Sequence, residues 1–395
     1  MQSIAFAEFF AGIGLMRAAL KPLGWRCVFA NDIDPDKAET YRANFGADDL
    51  LVDDIKNVSA KQLPSDLTLI TACFPCIDLS LAGNRAGLGG QDSGTFWEFQ
   101  RILRESRDQD RPTPLLLIEN VQGFLSSNGG EDIENAVKAL NELGYRCDVA
   151  LIDAKHFTPQ SRPRVFIIGE HETSVHGVLK PLRELEPPTA VRPPAVEGFI
   201  ASHPRLLWGR VDFPPPPDRH QRVSEILEHV HHSSQLWWSD DRVQKLLDSM
   251  RPLHRARVEA LLSSSRGGVG TVYRRTRSTG STAEVRTDGL AGCLRTPRGG
   301  SSKQFLIVAR NGKVRVRNMT PREYARLQGV PDSYDIGNDV NKALFGFGDA
   351  VCVPAVQWLA KHAFAGIHSS THPQENIAWT SSASSKESLR LSTTS

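Results

Sequence analysis

Along the first 170 positions the apolar residues fall into two alternating patterns. Short β-like runs occupy 4–9, 27–31, 67–71, 115–119, 146–152 and 165–169, and stretches with helical spacing separate them. Strands alternating with helices predict an α/β fold built on a parallel sheet. Helix signals support the pattern. Asp34-Pro35 sets a capping acid before a proline at the first helical position, and Gly46 stops the helix after Tyr41 and Phe45. Thr95-x-x-Glu98 reads as a capping box opening a helix with Phe96, Phe99 and Leu103 on one face.

After Glu170 the pattern changes. Prolines cluster from Pro181 to Pro217, then a helical stretch from Ser239 to Ser263 leads into a Gly/Ser/Arg-rich, loop-heavy region ending at Gly300. Regularity returns at Thr320-Pro321-Arg322-Glu323, a capping box whose helix ends at Gly329. A last apolar helix covers about Pro354 to Ala365. The Ser/Thr-rich tail, 366–395, is predicted to be disordered.

Charge changes this picture more than composition does. The net charge is only +2, but residues 251–330 hold 17 Lys/Arg against 4 Asp/Glu, so the balancing acidic excess lies elsewhere. A basic segment on an otherwise acidic chain is the footprint of a polyanion site, nucleic acid above all, against the blander reading of a solvated face. The first strand holds an acid, Glu8, and no basic start precedes it, which is unlike a signal peptide. No apolar stretch approaches the roughly 20 residues that span a membrane. Six scattered cysteines suit a reducing compartment, so a cytoplasmic location is expected.

Candidate chemistry sits at the ends of the apolar runs. Phe74-Pro75-Cys76 follows the run at 67–71, and Glu119-Asn120 follows Leu115 to Ile118. In an open α/β sheet both would stand at the carboxyl-terminal rim, where such sheets bind ligands. A thiol beside a carboxyl suits nucleophilic attack on a ring that needs protonation elsewhere. Cys73 and Cys76 also form a Cys-x-x-Cys. Zinc would need two further ligands, but no second such pair exists and the first histidine is His156. A buried structural cysteine is the stronger competing reading.

Phe10-Ala11-Gly12-Ile13-Gly14 follows the first strand, and Asp32 ends the second some twenty residues later. Glycines there let backbone approach a ligand, and a carboxylate there can hold a ribose diol. The third glycine of a dinucleotide fingerprint is missing, which argues for an adenosyl ligand without a pyrophosphate. Asp54-Ile55 could reach an adenine edge, or be a plain turn. Arg162 and Arg164 lie two apart before a strand and project together, suited to a phosphate or to orienting a carboxylate.

These six ordered segments, closing with Thr320-Pro321-Arg322-Glu323 and Arg326-Leu327-Gln328-Gly329, resemble the DNA (cytosine-5)-methyltransferases of the bacterial and phage modification type. The resemblance spans about 4–170 and 315–362. It implies a Rossmann-like S-adenosylmethionine-dependent methyltransferase domain with an inserted, irregular target-recognition domain. The implied division is 1–175 and 317–365 for catalysis and 176–316 for recognition. It implies Cys76, Glu119, Arg162 and Arg164 as catalytic residues and no metal. It also implies that S-adenosyl-L-methionine is held by Phe10, Ala11, Gly12, Ile13, Gly14, Asp32, Ile33, Asp54, Ile55 and Asp349. The implied partner is double-stranded DNA, met by a monomer without a membrane. A restriction endonuclease acting on the same site would form no stable complex with it. Departures from the family pattern fall at Cys73, Ile77, Leu79 and Asp349. Methylation of tRNA cytosine, or a silent DNA-binding relative, are the competing functions.

Overall fold

The computed structural model describes residues 4–75, 87–90, 94–218, 221–265, 267–277, 280–296 and 303–367. The expected disordered tail lies outside them from residue 368 onward, and so does Cys76. Seven strands form the main sheet: β1 (Ile4–Phe9), β2 (Trp25–Asp32), β3 (Leu50–Val52), β4 (Leu69–Ala72), β5 (Leu115–Val121), β6 (Tyr145–Asp153) and β7 (Pro163–His171). Their order is β3-β2-β1-β4-β5-β7-β6.

The sheet is not wholly parallel as expected. β7 runs antiparallel to both β5 and β6. The connection from Asp153 to Pro163 is too short for a parallel crossover, which takes roughly a dozen residues or more, so β7 must return as a hairpin. That reversal brings Arg164 opposite Val121 on β5. Glu119, two residues earlier, then lies diagonally across from Arg164 on the same face.

Along β5 the core assignment alternates. Leu115 and Leu117 enter one apolar cluster with α1 (Leu15–Leu20) and Tyr41 of α2 (Pro35–Phe45). Leu116 and Ile118 enter the other, with α3 (Thr95–Asp108) and α4 (Glu131–Glu142). This period of two, buried on both faces, explains the near-continuous apolar runs. Asp34 caps α2 as expected, accepting from the backbone N–H of Asp36 and Lys37. The box expected at Thr95 does not form. Gly94 is the N-cap, and Glu98 instead pairs with Arg101 at 2.8 Å.

The segment after Glu170 was expected to leave the catalytic domain, but its first part stays. A two-residue ladder, β8 (Lys180–Pro181) with β9 (Gly209–Arg210), and α5 (Pro194–Ser202) pack on β6. Leu179, Val191, Val196, Phe199, Trp208 and Val211 are buried in the two main cores. The buried Arg192–Asp148 ion pair fixes them there.

A third, separate core runs from Trp238 to Val316. The expected single helical stretch is two helices, α6 (Asp240–Asp248) and α7 (Pro252–Ser263), split where Pro252 removes a donor. They cover a four-stranded antiparallel sheet: β10 (Gly268–Arg277), β11 (Gly280–Arg286), β12 (Phe305–Arg310) and β13 (Lys313–Asn318), in the order β11-β10-β12-β13. The expectation of loops here is corrected. Val272, Val285 and Phe305 are buried, and Asn311-Gly312, both at positive φ, turn β12 into β13.

The chain then returns to the first domain through α8 (Pro321–Leu327), α9 (Val340–Asp349) and α10 (Val353–Ala363). Thr320 and Glu323 form the expected capping box. Within Val340 to Ala363 an 18-residue window has a mean hydropathy of 1.4, and 67% of it is buried inside the protein. It is broken between Asp349 and Val353, and the phenyl and aliphatic side chains of both helices fill the core beside α1.

Candidate active site

The ends of β1 and β2 build a cradle. Phe10, Gly12 and Gly14 all have positive φ, and nothing lies within 4 Å of where a Gly12 side chain would begin. The Gly12 N–H donates to Asp32 Oδ2 at 2.6 Å, and the Asp34 N–H donates to Oδ1 at 2.8 Å. A carboxylate has about four lone-pair sites, so Asp32 keeps capacity for two ligand hydroxyls. Ile33 is 64% exposed beside it, an apolar surface of the kind an aromatic base covers. An open glycine floor, a carboxylate and an exposed aliphatic side chain fit an adenosyl group.

The other expected cofactor residues divide. Ala11 and Ile13 are buried, and the Ile13 carbonyl accepts from the Tyr334 hydroxyl, so they shape the turn through backbone. Phe10 packs on the second core. Asp54 sits at the rim and caps the turn at Lys56. Ile55 is buried in the core, so its side chain is structural. Asp349 arrives from the carboxyl end of α9 and pairs with Lys37 at 3.1 Å. Burial raises the Asp32 carboxyl, and Lys37 pulls it back. Burial lowers Lys37, but Asp349 and Asp32 outweigh it and hold the ammonium above its ordinary value. Sequence reading missed Lys37, whose partner stands 312 residues away.

Behind the cradle Glu8 is buried, and burial raises its carboxyl to about 8 despite Arg17 nearby. A raised acid contributes stability that is complete below its unfolded value, near 4.5, and lost as pH rises through 8. Glu8→Gln should therefore raise the melting temperature at pH 8 to 9, with the gain shrinking toward pH 5. Melting curves across that range check it; a gain independent of pH would show that Glu8 is not titrating.

Glu119 ends β5 in a buried position, its Oε1 2.9 Å from Arg164 Nε. Burial raises the carboxyl above its ordinary range, while Arg164 and then Arg162 hold part of that rise back. Next to it, the Asn120 side-chain amide donates to the Phe74 carbonyl at 3.2 Å. Phe74 is wedged between Phe96 and Phe124. These contacts fix the chain at Phe74-Pro75, the point from which it enters the segment of Cys76. Asn120 was not among the expected site residues, although its place beside Glu119 marks it. Cys73 packs level with Glu119, and burial together with Glu119 pushes its thiol well above the ordinary range. It stays protonated and is a poor nucleophile.

Arg162 and Arg164 do project together, and among the described residues Arg164 is the one ion-paired with a carboxylate. Arg162 is buried, and its guanidinium donates to the carbonyls of Leu294 (2.9 Å), Gly348 (3.3 Å) and Ala350 (2.7 Å). It clasps the stretch after β11 to the end of α9. Gln160 works with it, donating to the Leu327 carbonyl and accepting from the Leu294 N–H, both at 3.0 Å.

An α/β sheet with one reversed strand, an adenosyl-shaped cradle and a buried, arginine-paired carboxyl at one rim fit a nucleoside-cofactor transferase. The chain belongs to the C-5 cytosine-specific DNA methylase family, whose profile it matches over residues 4–365. It is 28% identical over 377 residues to the Type II methyltransferase M.HpaII of Haemophilus parainfluenzae, covering 91% of this chain and 89% of that one. It is 26% identical over 370 residues to the Type II methyltransferase M.HhaI of Haemophilus parahaemolyticus, covering 91% and 94%. Its fold matches the crystal structure of the Dnmt2 methyltransferase of S. pombe with a TM-score of 0.61 at 18% identity, over 93% and 99% of the two chains. The fold is thus the Rossmann-like methyltransferase fold, and the enzyme is a DNA (cytosine-5-)-methyltransferase using S-adenosyl-L-methionine.

Proposed function

We propose that this enzyme methylates one cytosine within a specific duplex sequence, as the modification partner of a restriction endonuclease or as an orphan, with Cys76 as nucleophile and Glu119 as acid. The observation that carries the reading is the buried Glu119 carboxyl, held by Arg164, beside the Phe74-Pro75 turn that leads into Cys76. Cytosine C5 and C6 are shielded within the stack, so the target base must be extruded, at roughly a few kcal/mol. The Cys76 thiolate then bonds to C6. Electron density moves into the ring, and Glu119 gives its proton to N3, leaving C5 enamine-like and nucleophilic. Phe10 to Gly14, Asp32, Ile33 and Asp54 hold the cofactor, which when bound supplies an electrophilic methyl group. Once C5 carries the methyl, loss of the C5 proton allows Cys76 to leave C6. Arg164 holds Glu119 in place throughout. Arg162 and Asp349 act at one remove, on the segments that frame the site.

Recognition is assigned to the unit from about Trp238 to Val316, not to the whole of 176–316, because 178–211 packs into the cores of the first domain. That unit carries most of the basic excess. The protein acts as a cytoplasmic monomer on duplex DNA, and an endonuclease sharing the site needs no stable complex with it. The test uses labelled cofactor with duplex DNA and, separately, tRNA. Label should enter duplex DNA, and bisulfite sequencing of that DNA should place it at C5 within one sequence context. Label entering tRNA alone would overturn the duplex reading, and label in neither would mark a silent relative.

A further inference from the structure

The stretch between β11 and β12 runs beside the entry to β7. Ala291 donates its N–H to the Pro159 carbonyl at 2.7 Å and accepts from the Ser161 N–H at 2.9 Å. Two residues on, the Cys293 sulfur lies 3.4 Å from Arg162 Nη1 and 3.7 Å from Arg164 Nη2. Both distances suit N–H donation to sulfur. One of these arginines is fixed by four carbonyls, and the other is the one that grips Glu119. A single guanidinium therefore bridges the sulfur that follows β11 and the carboxyl of the catalytic sheet.

We propose that Cys293 is a positioning residue, whose sulfur shares Arg164 with Glu119 and so sets how Arg164 is placed at the acid. The proposal rests on the role given to Glu119 above. Burial alone would push the Cys293 thiol up, but Arg164 and Arg162, with a smaller part from Arg295, bring it below the ordinary thiol range. The sulfur thus carries negative charge more readily than an ordinary thiol and competes with Glu119 for Arg164. The other charged or titratable groups facing Glu119 are Arg162 on β7, Asp349 at the end of α9, and Cys73 after β4. Of these, Arg162 also donates to the Cys293 sulfur.

The test is Cys293→Ala and Cys293→Ser in the full chain, measured as kcat and as KM for duplex DNA across pH 6 to 10. Losing an acceptor for a charged donor should lower kcat roughly tenfold in the alanine variant, with KM for DNA little changed. Serine restores an acceptor and should recover most of that loss. Neither variant carries the sulfur, so in both the Arg164 charge is drawn more to Glu119 and stabilises its carboxylate form. The alkaline fall in kcat should therefore shift to lower pH in both, by up to about one unit. Wild-type kcat and pH profile in the alanine variant would overturn the proposal. So would a loss that serine fails to recover with the pH limb unmoved, since that is a packing defect. If Glu119→Gln is slow while Cys293→Ala is unaffected, the link fails and the acid stands. If Glu119→Gln is unaffected, the acid itself is wrong.

Discussion

Replacing Cys76 by serine is expected to abolish methyl transfer, with turnover falling on the order of 10³-fold or more. A hydroxyl in place of the thiolate cannot make the bond to C6 at neutral pH. Cys73 is the nearest alternative by sequence. It is held by burial and by Glu119 in its neutral form, so Cys73→Ser should keep most of the activity. The contrast between two cysteines three residues apart is the discriminating part. Turnover assays with labelled cofactor and duplex DNA decide it. A Cys76→Ser enzyme that still turns over, beside an inactive Cys73→Ser, would reverse the assignment.

Glu119→Gln should have the second largest effect. The amide keeps the shape and its hydrogen bonds but has no proton to give to N3. General acid–base help is typically worth about 10²–10⁴-fold, so kcat should drop within that range while DNA affinity changes little. The pH profile adds an independent sign. Glu119 acts in its protonated form and burial raises its proton affinity, so wild-type kcat should fall as pH rises through that raised value. The glutamine variant should lack this alkaline limb. A loss under about tenfold, or a limb that persists unchanged, would remove Glu119 from the role.

How far the sequence foretold this molecule depends on the range of the interactions involved. Local signals held. Ile4–Phe9 is a strand over the expected residues, Asp34 caps α2, and Thr320 with Glu323 forms its box. The placement of Glu119-Asn120 beside Phe74 follows from strand order, and apolar runs ending at one rim made it readable. Other features were set by contacts between distant segments. β7 reverses because its connection is short, a fact of length that the apolar pattern does not record. β10 carries Arg274, Arg275 and Arg277, which read as loop or groove charges; its partner strands supply the buried Val285 and Phe305 that make it a sheet.

The site shows the same division. Alternation along the chain placed Arg162 and Arg164 on one side, and both reach the Cys293 sulfur. Only packing decides that Arg162 ends among carbonyls while Arg164 meets Glu119. Asp349 departs from the family pattern by carrying a charge, and Lys37 answers that charge across the cradle. Neither residue alone signals the pair.

One measurement bears most directly on the chemistry. Duplex DNA with 5-fluorocytosine at the target position has no C5 proton to release, so the bond between protein and C6 should survive when cofactor is present. Digestion and mass spectrometry then read which residue carries the nucleotide. The adduct is expected on the peptide containing Cys76, with a methyl group added at C5 and with no adduct when cofactor is withheld through the transfer step. An adduct on Cys73 or Cys293, or methylated product formed with no covalent species at any time, would contradict the account.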